Sequence, residues 1–406
     1  MKRDADTLTL IPTKLSGSVA APISKSIAQR AVICGALSVN SAQKHVRIFG
    51  NVSRTSICDD VSAALSAIKS LGLADYCIGD GIIELSPAVR SCPVEKVLNV
   101  GDSAAVLRML LPLVKLLGGG RFICGESLRR RPLTPYTDIF RDGILPFSDG
   151  VSVSGGLDCG IYHIRGDISS QFVSGLLLAL PLLDGDSTVR LTTPLVSGAY
   201  ADMTLCVMRE FGVFADRVAN DFTIHGRQSY APRDYRAEGD RSYAAFFELA
   251  NFLGGNIKIC GLSENSLQCD KVFTELFNKP HVDVSQFPDL FPALAAAACR
   301  SSSPVTIAGV ERLKYKESDR LSAMTEELST LGVSITQGSD SVTIFPSDKP
   351  LKGGNVHSHG DHRIVMALSM LACVCSEPLV MHGCECVKKS APRFFDDYRS
   401  IGGITL

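Results

Sequence analysis

Two carboxylates, Asp289 and Glu317, stand among residues of opposite charge, and that contrast is the first chemical signal in the chain. Asp289 lies in Phe287-Pro288-Asp289-Leu290-Phe291-Pro292, ahead of a very apolar run, and Glu317 sits between Lys316 and Arg320. As a helix cap or an ion-pair member, neither needs to do chemistry. Among cations that hold anionic ligands, each becomes a candidate for moving a proton. Such cations recur in one setting. Ser24 reads as the N-cap of a helix in which Ile27, Ala31 and Cys34 follow at helical spacing, placing Lys25, Ser26 and Arg30 in the first two turns. Free N–H groups and the helix dipole favour an anion there by about 0.3–1 kcal/mol. Side chains lean toward the helix N-terminus, so Arg30 reaches back to the same spot.

The arrangement repeats. Gly101-Asp102-Ser103-Ala104-Ala105-Val106-Leu107-Arg108 opens a helix with Leu107, Leu110, Val114 and Leu117 facing inward and three glycines, Gly118 to Gly120, at its end. Lys316-Glu317-Ser318-Asp319-Arg320 opens another, striped by Leu321, Met324, Leu328 and Leu331 and stopped by Gly332. His359-Gly360-Asp361-His362-Arg363 opens a further one. Each of the four starts sets an Arg near a polar or Gly-rich turn, the geometry for grasping phosphate or carboxylate. A fifth, Asp167-Ile168-Ser169-Ser170-Gln171, offers hydroxyls and an amide. Two of the cationic starts and Arg131 fall in the first half and two in the second, which predicts a site for small, multiply anionic ligands that closes when the halves meet.

The elements that must position these groups form an α/β pattern of helix, loop and strand. Strand-like runs, most ending at Gly, at Val46–Gly50, Arg121–Gly125, Thr188–Thr192, Asn256–Gly261, Val305–Gly309 and Leu379–Gly383 are spaced by roughly 50 to 75 residues. Hairpin-like pairs accompany several, as at Ile78–Ile83 and Ser339–Ile344. Six such units imply three per domain, with a first domain over 22–237 and a second over 238–406 completed by 1–21, because the opening strand is expected to join the last units.

The chain's 406 residues exceed what one core usually supports, and the formal net charge of −1 supplies no global basic field for nucleic acid or an anionic membrane. Met1–Asp6 and the short run Leu8–Ile11 are too brief and too acidic for a signal peptide, and the apolar run Leu176–Leu183 is too short to span a bilayer. A soluble cytoplasmic protein is expected. The 14 scattered cysteines contain no Cys-x-x-Cys and read as reduced, mostly buried residues, without disulfides or structural zinc. His357-x-His359-x-Asp361-His362 matches a zinc-metallohydrolase signature, but such a site needs further His and Asp ligands downstream, where only His382 follows, and Arg363 would repel a dication.

Taken in order, Lys25 to Arg30, Gly101 to Arg108, Arg131-Pro132, Ser169 to Phe172, Ser197 and Tyr200, Pro288-Asp289, Lys316 to Arg320, Asp361-His362-Arg363 and Lys389 before Pro392 resemble the 5-enolpyruvylshikimate-3-phosphate (EPSP) synthase family of enolpyruvyl transferases. The resemblance implies a two-domain inside-out α/β barrel, three βαβαββ units per domain, with the active site in the interdomain cleft. It implies that Lys25, Ser26, Arg30, Ser169, Ser170, Gln171, Ser197, Tyr200, Asp289 and Lys316 hold shikimate-3-phosphate. Phosphoenolpyruvate would be held by Lys25, Ala104, Arg131, Gln171, Arg320, His362, Arg363 and Lys389. Asp289 would handle the proton of the 5-hydroxyl, and Glu317 with Lys25 the proton at C3 of phosphoenolpyruvate. The family's place is the shikimate pathway to chorismate and the aromatic amino acids. No metal or organic cofactor is implied, nor a nucleic-acid or membrane partner, and a monomer is expected.

This sequence departs from the family pattern at several points. Asp102, Ala104 and Ala105 replace residues of Gly-Asn-x-Gly-Thr, so the Ala104 methyl occupies the place of bare backbone and implies reduced sensitivity to glyphosate, the inhibitor that shares the phosphoenolpyruvate site. Asp102 adds negative charge near an anionic ligand. Arg241 and Tyr243 are bulky where small residues are usual, Ala391 replaces an aromatic, and Arg312 stands where some members carry Asn. The sister transferase acting on UDP-N-acetylglucosamine typically has Cys five residues before Arg-Pro; here that position is Glu126, and Ser26 replaces the expected Asn. A non-catalytic homologue, the other alternative, sits poorly with the presence of Lys25, Asp289, Glu317, Arg320 and Arg363.

Overall fold

The computed structural model describes residues 6–89, 96–277 and 279–406. Residues 1–5 of the expected second domain, and Cys92, lie outside the described residues. The chain divides into two compact units, Ile23–Glu238 and Met1–Pro22 joined with Gly239–Leu406.

In Ile23–Glu238 one sheet pattern occurs three times. Val97–Gly101 runs parallel to Gly120–Cys124, which pairs antiparallel with Gly150–Val153, itself the hairpin partner of Ile144–Phe147. Ile161–Ile164, Ser187–Leu191, Asp221–Ile224 and Ala215–Val218 repeat that order, as do Tyr235–Arg236, Val46–Phe49, Ile82–Ser86 and Asp75–Gly79. Alternate residues of Val46–Phe49 and Ser187–Leu191 are buried, as a sheet with one face on a core requires. Helices Ala104–Leu116 and Ser170–Ala179 are buried along nearly their whole length, the behaviour of helices apolar on all sides. They approach closely at Gly175, where a Cβ would come within 2.3 Å of Arg108 O.

The other unit repeats the pattern with one abbreviation. His281–Asp283, Val305–Ala308, Ser341–Phe345 and Ser334–Gln337 form one full sheet. In the next, Gly354–His357 runs parallel to Leu379–His382, and the opening strand Thr7–Ile11 completes it between Leu379–His382 and Ile404–Thr405. Asn256–Cys260 pairs only with Ser16–Ala20 among the described residues, so this repeat has no hairpin. Helices Phe291–Ala298 and His362–Leu371 are wholly buried.

Each unit has its own hydrophobic core, one drawn from Ile23 to Ala237 and the other from Leu10 to Val19 with Tyr243 to Ile401. Cys34, Cys58, Cys124, Cys299, Cys375 and Cys384 are buried within them. Burial, with Asp102 nearby, pushes the Cys124 thiol up to about 11, which keeps it unreactive at neutral pH. Among the described residues, no helix is long and apolar enough to cross a membrane.

Candidate active site

In Ile23–Glu238 the helix starts read from sequence are bonded to one another. Helix Lys25–Ala42 begins directly after Ser24, although Ser24 occupies the cap position without a side-chain capping bond. Lys25 Nζ lies 2.9 Å from Asp60 Oδ2, in the first turn of helix Asp59–Ser70. Gln29 Nε2 donates to Asp60 O at 3.0 Å and reaches Ser103 Oγ, the cap position of the Ala104 helix, at 3.5 Å. Arg108, from that helix, donates to Gln171 Oε1 at 3.0 Å and stacks its guanidinium 4.7 Å from the Phe172 ring centre. Ser169 caps the Ser170 helix by accepting from Gln171 N.

Arg30 is only 2% exposed, and its guanidinium faces inward. It donates to Thr204 Oγ1 at 2.8 Å, Ser26 O at 2.7 Å, Tyr200 O at 3.1 Å and Ser174 Oγ at 3.3 Å. Burial lowers its pKa to about 10, so it stays protonated at neutral pH. Geometrically it acts as a rivet that sets the Ser26 and Tyr200 backbones. Ser170 and Ser197 are buried, and Ser197 holds a left-handed φ of 51° just ahead of helix Ala199–Glu210, a strained conformation for a residue with a Cβ. Ala104 is buried at the first position of its helix. Arg131 is half-buried on a turn where Nη2 donates to Ser127 Oγ at 3.3 Å.

The second unit gathers the remaining residues more tightly. Asp289 accepts from Arg320 Nη1 at 2.7 Å, Arg363 Nη2 at 2.9 Å and Lys316 Nζ at 3.2 Å. Arg320 is 1% exposed and also binds Glu317 Oε2 at 2.7 Å and Asp361 Oδ2 at 2.7 Å. Lys389 Nζ stands 4.0 Å from Glu317 Oε1. Asp319 and Asp361 cap their helices by accepting from Ser322 N and Arg363 N. Burial disfavours the Asp289 charge, but Arg363, Lys316 and Arg320 outweigh it and hold the carboxyl well below its usual range. Burial likewise opposes the Asp361 charge, and Arg320 leads the forces that lower its pKa. Desolvation dominates at Lys316 and lowers its pKa despite Asp289.

The zinc-like motif disperses its side chains. His357 stacks on His382 with ring centres 4.8 Å apart, His359 Nε2 lies 2.6 Å from Glu327, Asp361 binds Arg320, and His362 is buried with Nδ1 3.7 Å from Asp361. Glu326, Glu327 and His359 bring ligand atoms within 4.8 Å of one another, but Glu327 already accepts from His357 N and sits beside the His359 ring.

The unusual residues are absorbed locally. Asp102 Oδ1 accepts from Leu128 N at 2.9 Å and Leu128 O accepts from Arg131 N at 3.0 Å, so the added carboxylate tethers the turn that carries Arg131. Arg241 turns to Glu248 and to Ser263 O, and Tyr243 is buried among Phe247, Phe394 and Asp397. Arg312 donates to Ser285 O, and Ala391 is buried beside Phe394. Sequence reasoning read Arg108 as an anion-grasping arginine, weighed Asp361 only within its motif and gave Asp60 no role, whereas the three are the partners of Gln171, Arg320 and Lys25. Arg108 and Asp361 stood inside quoted motifs, whereas the only sequence signal for Asp60 was its place in an acidic first helical turn.

A repeat of one sheet-and-helix pattern across two cores, with clustered cations and carboxylates at the helix starts, is the architecture of the enolpyruvyl transferases. Solved structures share the fold: EPSP synthase from Acinetobacter baumannii at a TM-score of 0.80 and 22% identity, covering 98% of this chain and 99% of that one. The enolpyruvyl transferase NikO from Streptomyces tendae superposes at a TM-score of 0.73 and 18% identity, over 99% of this chain and 98% of that one. The chain belongs to the EPSP synthase (3-phosphoshikimate 1-carboxyvinyltransferase) family, whose profile matches residues 10–279 and 276–398. A 3-phosphoshikimate 1-carboxyvinyltransferase of Clostridium kluyveri is 40% identical over 98% of this chain and 97% of that protein. One from Clostridioides difficile is 36% identical, covering 98% of each.

Proposed function

We propose that the chain transfers the enolpyruvyl group of phosphoenolpyruvate to the 5-hydroxyl of shikimate-3-phosphate and releases phosphate, serving the route to chorismate and the aromatic amino acids. The observation that carries this reading is the cluster of Asp289, Lys316, Glu317, Arg320, Arg363 and Lys389, which combines anion-binding cations with two carboxylates. Family membership and full-length relatives bearing the same activity in their names support it over the UDP-N-acetylglucosamine reaction.

In the first step the 5-hydroxyl oxygen bonds to C2 of phosphoenolpyruvate, Asp289 takes the hydroxyl proton, and C3 receives a proton from Glu317 or Lys25. In the second, the tetrahedral adduct loses phosphate from C2 while a proton leaves C3, restoring the double bond. Lys25, Arg131, Gln171, Arg320, Arg363 and Lys389 hold the phosphate and carboxylate of phosphoenolpyruvate, with Ala104 and His362 beside them. Ser26, Arg30, Ser169, Ser170, Ser197, Tyr200 and Lys316 hold or shape the shikimate-3-phosphate side. The enzyme works as a cytoplasmic monomer without a nucleic-acid partner. Purified protein should release phosphate when given shikimate-3-phosphate with phosphoenolpyruvate; release only with UDP-N-acetylglucosamine, or none with either acceptor, rejects the assignment.

Ala104 yields a second expectation. Its buried methyl stands at the first helical residue, where the family's glycine leaves bare backbone. Ala104→Gly should increase glyphosate sensitivity by about tenfold, the equivalent of ~1.4 kcal/mol. Inhibition titrations that coincide for wild type and variant reject this role for the methyl.

A further inference from the structure

Two of the guanidinium groups that the transferase reading gives to phosphoenolpyruvate, Arg320 and Arg363, are already holding a carboxylate of the chain itself. Asp289 places Oδ1 2.7 Å from Arg320 Nη1 and Oδ2 2.9 Å from Arg363 Nη2, one oxygen on each guanidinium. Arg320 has little left to offer: its Nε is on Asp361 at 2.7 Å, its Nη2 is on Glu317 at 2.7 Å, and the side chain is 1% exposed. Arg363 also donates from Nη1 to Asp289 O at 3.3 Å, so the second guanidinium is wrapped around the same residue. An incoming anionic group that needs these two guanidinium groups therefore has to take the place of an internal carboxylate.

Asp289 is the partner suited to yield. Asp361 is fully buried, caps the His362 helix through Arg363 N and cannot leave without opening that helix start. Glu317 binds Arg320 and stands 4.0 Å from Lys389, and it reaches neither guanidinium nitrogen of Arg363 among the bonds described. Asp289 alone of the three bridges both guanidinium groups, its side chain is the most accessible of them at 23%, and it sits in a short helical turn, Pro288–Leu290.

We propose, on the basis of the transferase reading above, that Asp289 sets the affinity for phosphoenolpyruvate by occupying two of the guanidinium groups that would hold its anionic groups, and that substrate binds by exchanging with it on Arg320 and Arg363. The exchange also delivers Asp289 to its chemistry. While three cations surround it the carboxylate is a poor base; once two of them turn to the substrate it becomes a better acceptor for the hydroxyl proton. Substrate binding thereby generates the base.

Equilibrium dialysis of phosphoenolpyruvate against wild type, Asp289→Asn and Asp319→Asn tests this. Asp319 is one residue from Arg320, and among the described residues its carboxylate bonds only to Ser322 in the cap, so its replacement removes the same charge without freeing a guanidinium. Asp289→Asn should bind phosphoenolpyruvate more tightly by about tenfold or more, although it turns over poorly, and Asp319→Asn should change affinity by less than about threefold. Unchanged or weaker binding by Asp289→Asn overturns the exchange, as does equal tightening by both variants, which would mark a plain charge effect. A crystal structure of wild type with phosphoenolpyruvate covers the case of a poorly folding variant: Asp289 released from Arg320 and Arg363 supports the exchange, and Asp289 still bonded to both rejects it. Phosphate release by the wild type is scored separately. An active wild type whose Asp289→Asn variant gains no affinity sinks the exchange alone; an inactive wild type with the gain present sinks the transferase reading alone.

Discussion

Glu317→Gln should slow phosphate release by about 10²- to 10⁴-fold while leaving the fold intact. Gln is nearly isosteric, and its amide oxygen can still accept from Arg320 Nη2, which now binds Glu317 at 2.7 Å. What the amide lacks is an exchangeable carboxyl proton. Glu317 is 13% exposed, with Arg320 on one oxygen and Lys389 4.0 Å from the other, a setting in which a proton can be relayed without bulk water. Because C3 must gain a proton in the addition step and lose one in the elimination, both steps suffer. Single-turnover measurements at saturating substrates, with a thermal melt as the folding control, check this. A folded variant within tenfold of wild type removes Glu317 from proton transfer.

Arg320→Met should destabilise the unit containing it by about 3–5 kcal/mol, because it strands carboxylates that are buried in pairs with a single guanidinium. Asp361 is fully buried, and both it and Glu317 would lose their shortest ion pair. For a unit of this size the midpoint of its thermal transition should fall by roughly 6–20 °C. The pH dependence distinguishes this cause from a simple packing defect. In the wild type the Asp361 pKa is depressed, so its contribution is present above the unfolded value of about 3.9 and is lost as pH falls through the folded value. In the variant, burial without Arg320 raises the same pKa, and stability is gained as the group protonates. The gap between the two proteins is therefore widest near neutrality and closes toward about pH 4. A gap constant from pH 4 to pH 8 would show that lost packing, and not stranded charge, is the cause.

The helix starts were legible because their signals are local. Ser103, Ser169, Asp319 and Asp361 occupy cap positions ahead of apolar stripes, and Gly118, Gly119 and Gly332 take the positive φ that ends or follows those helices. The six strand runs were legible for the same reason, since β-branched residues between turn signals declare themselves within a few positions. The abbreviated repeat around Asn256–Cys260 was not, because its missing hairpin is a matter of which strands find partners.

The sequence by itself determined which groups this protein possesses: cations placed at helix beginnings, two carboxylates among them, and a repeated scaffold to present them. Only the tertiary structure decided what each group faces. Lys25 meets Asp60 from thirty-five positions away, Arg30 turns inward onto Thr204 and Tyr200, Asp102 becomes a backbone tether, and Asp289 settles on Arg320 and Arg363. Helical and strand periodicity act over a few residues, whereas these partners are chosen by packing between segments far apart in the chain, where burial makes each unsatisfied donor or charge costly enough to select its neighbour.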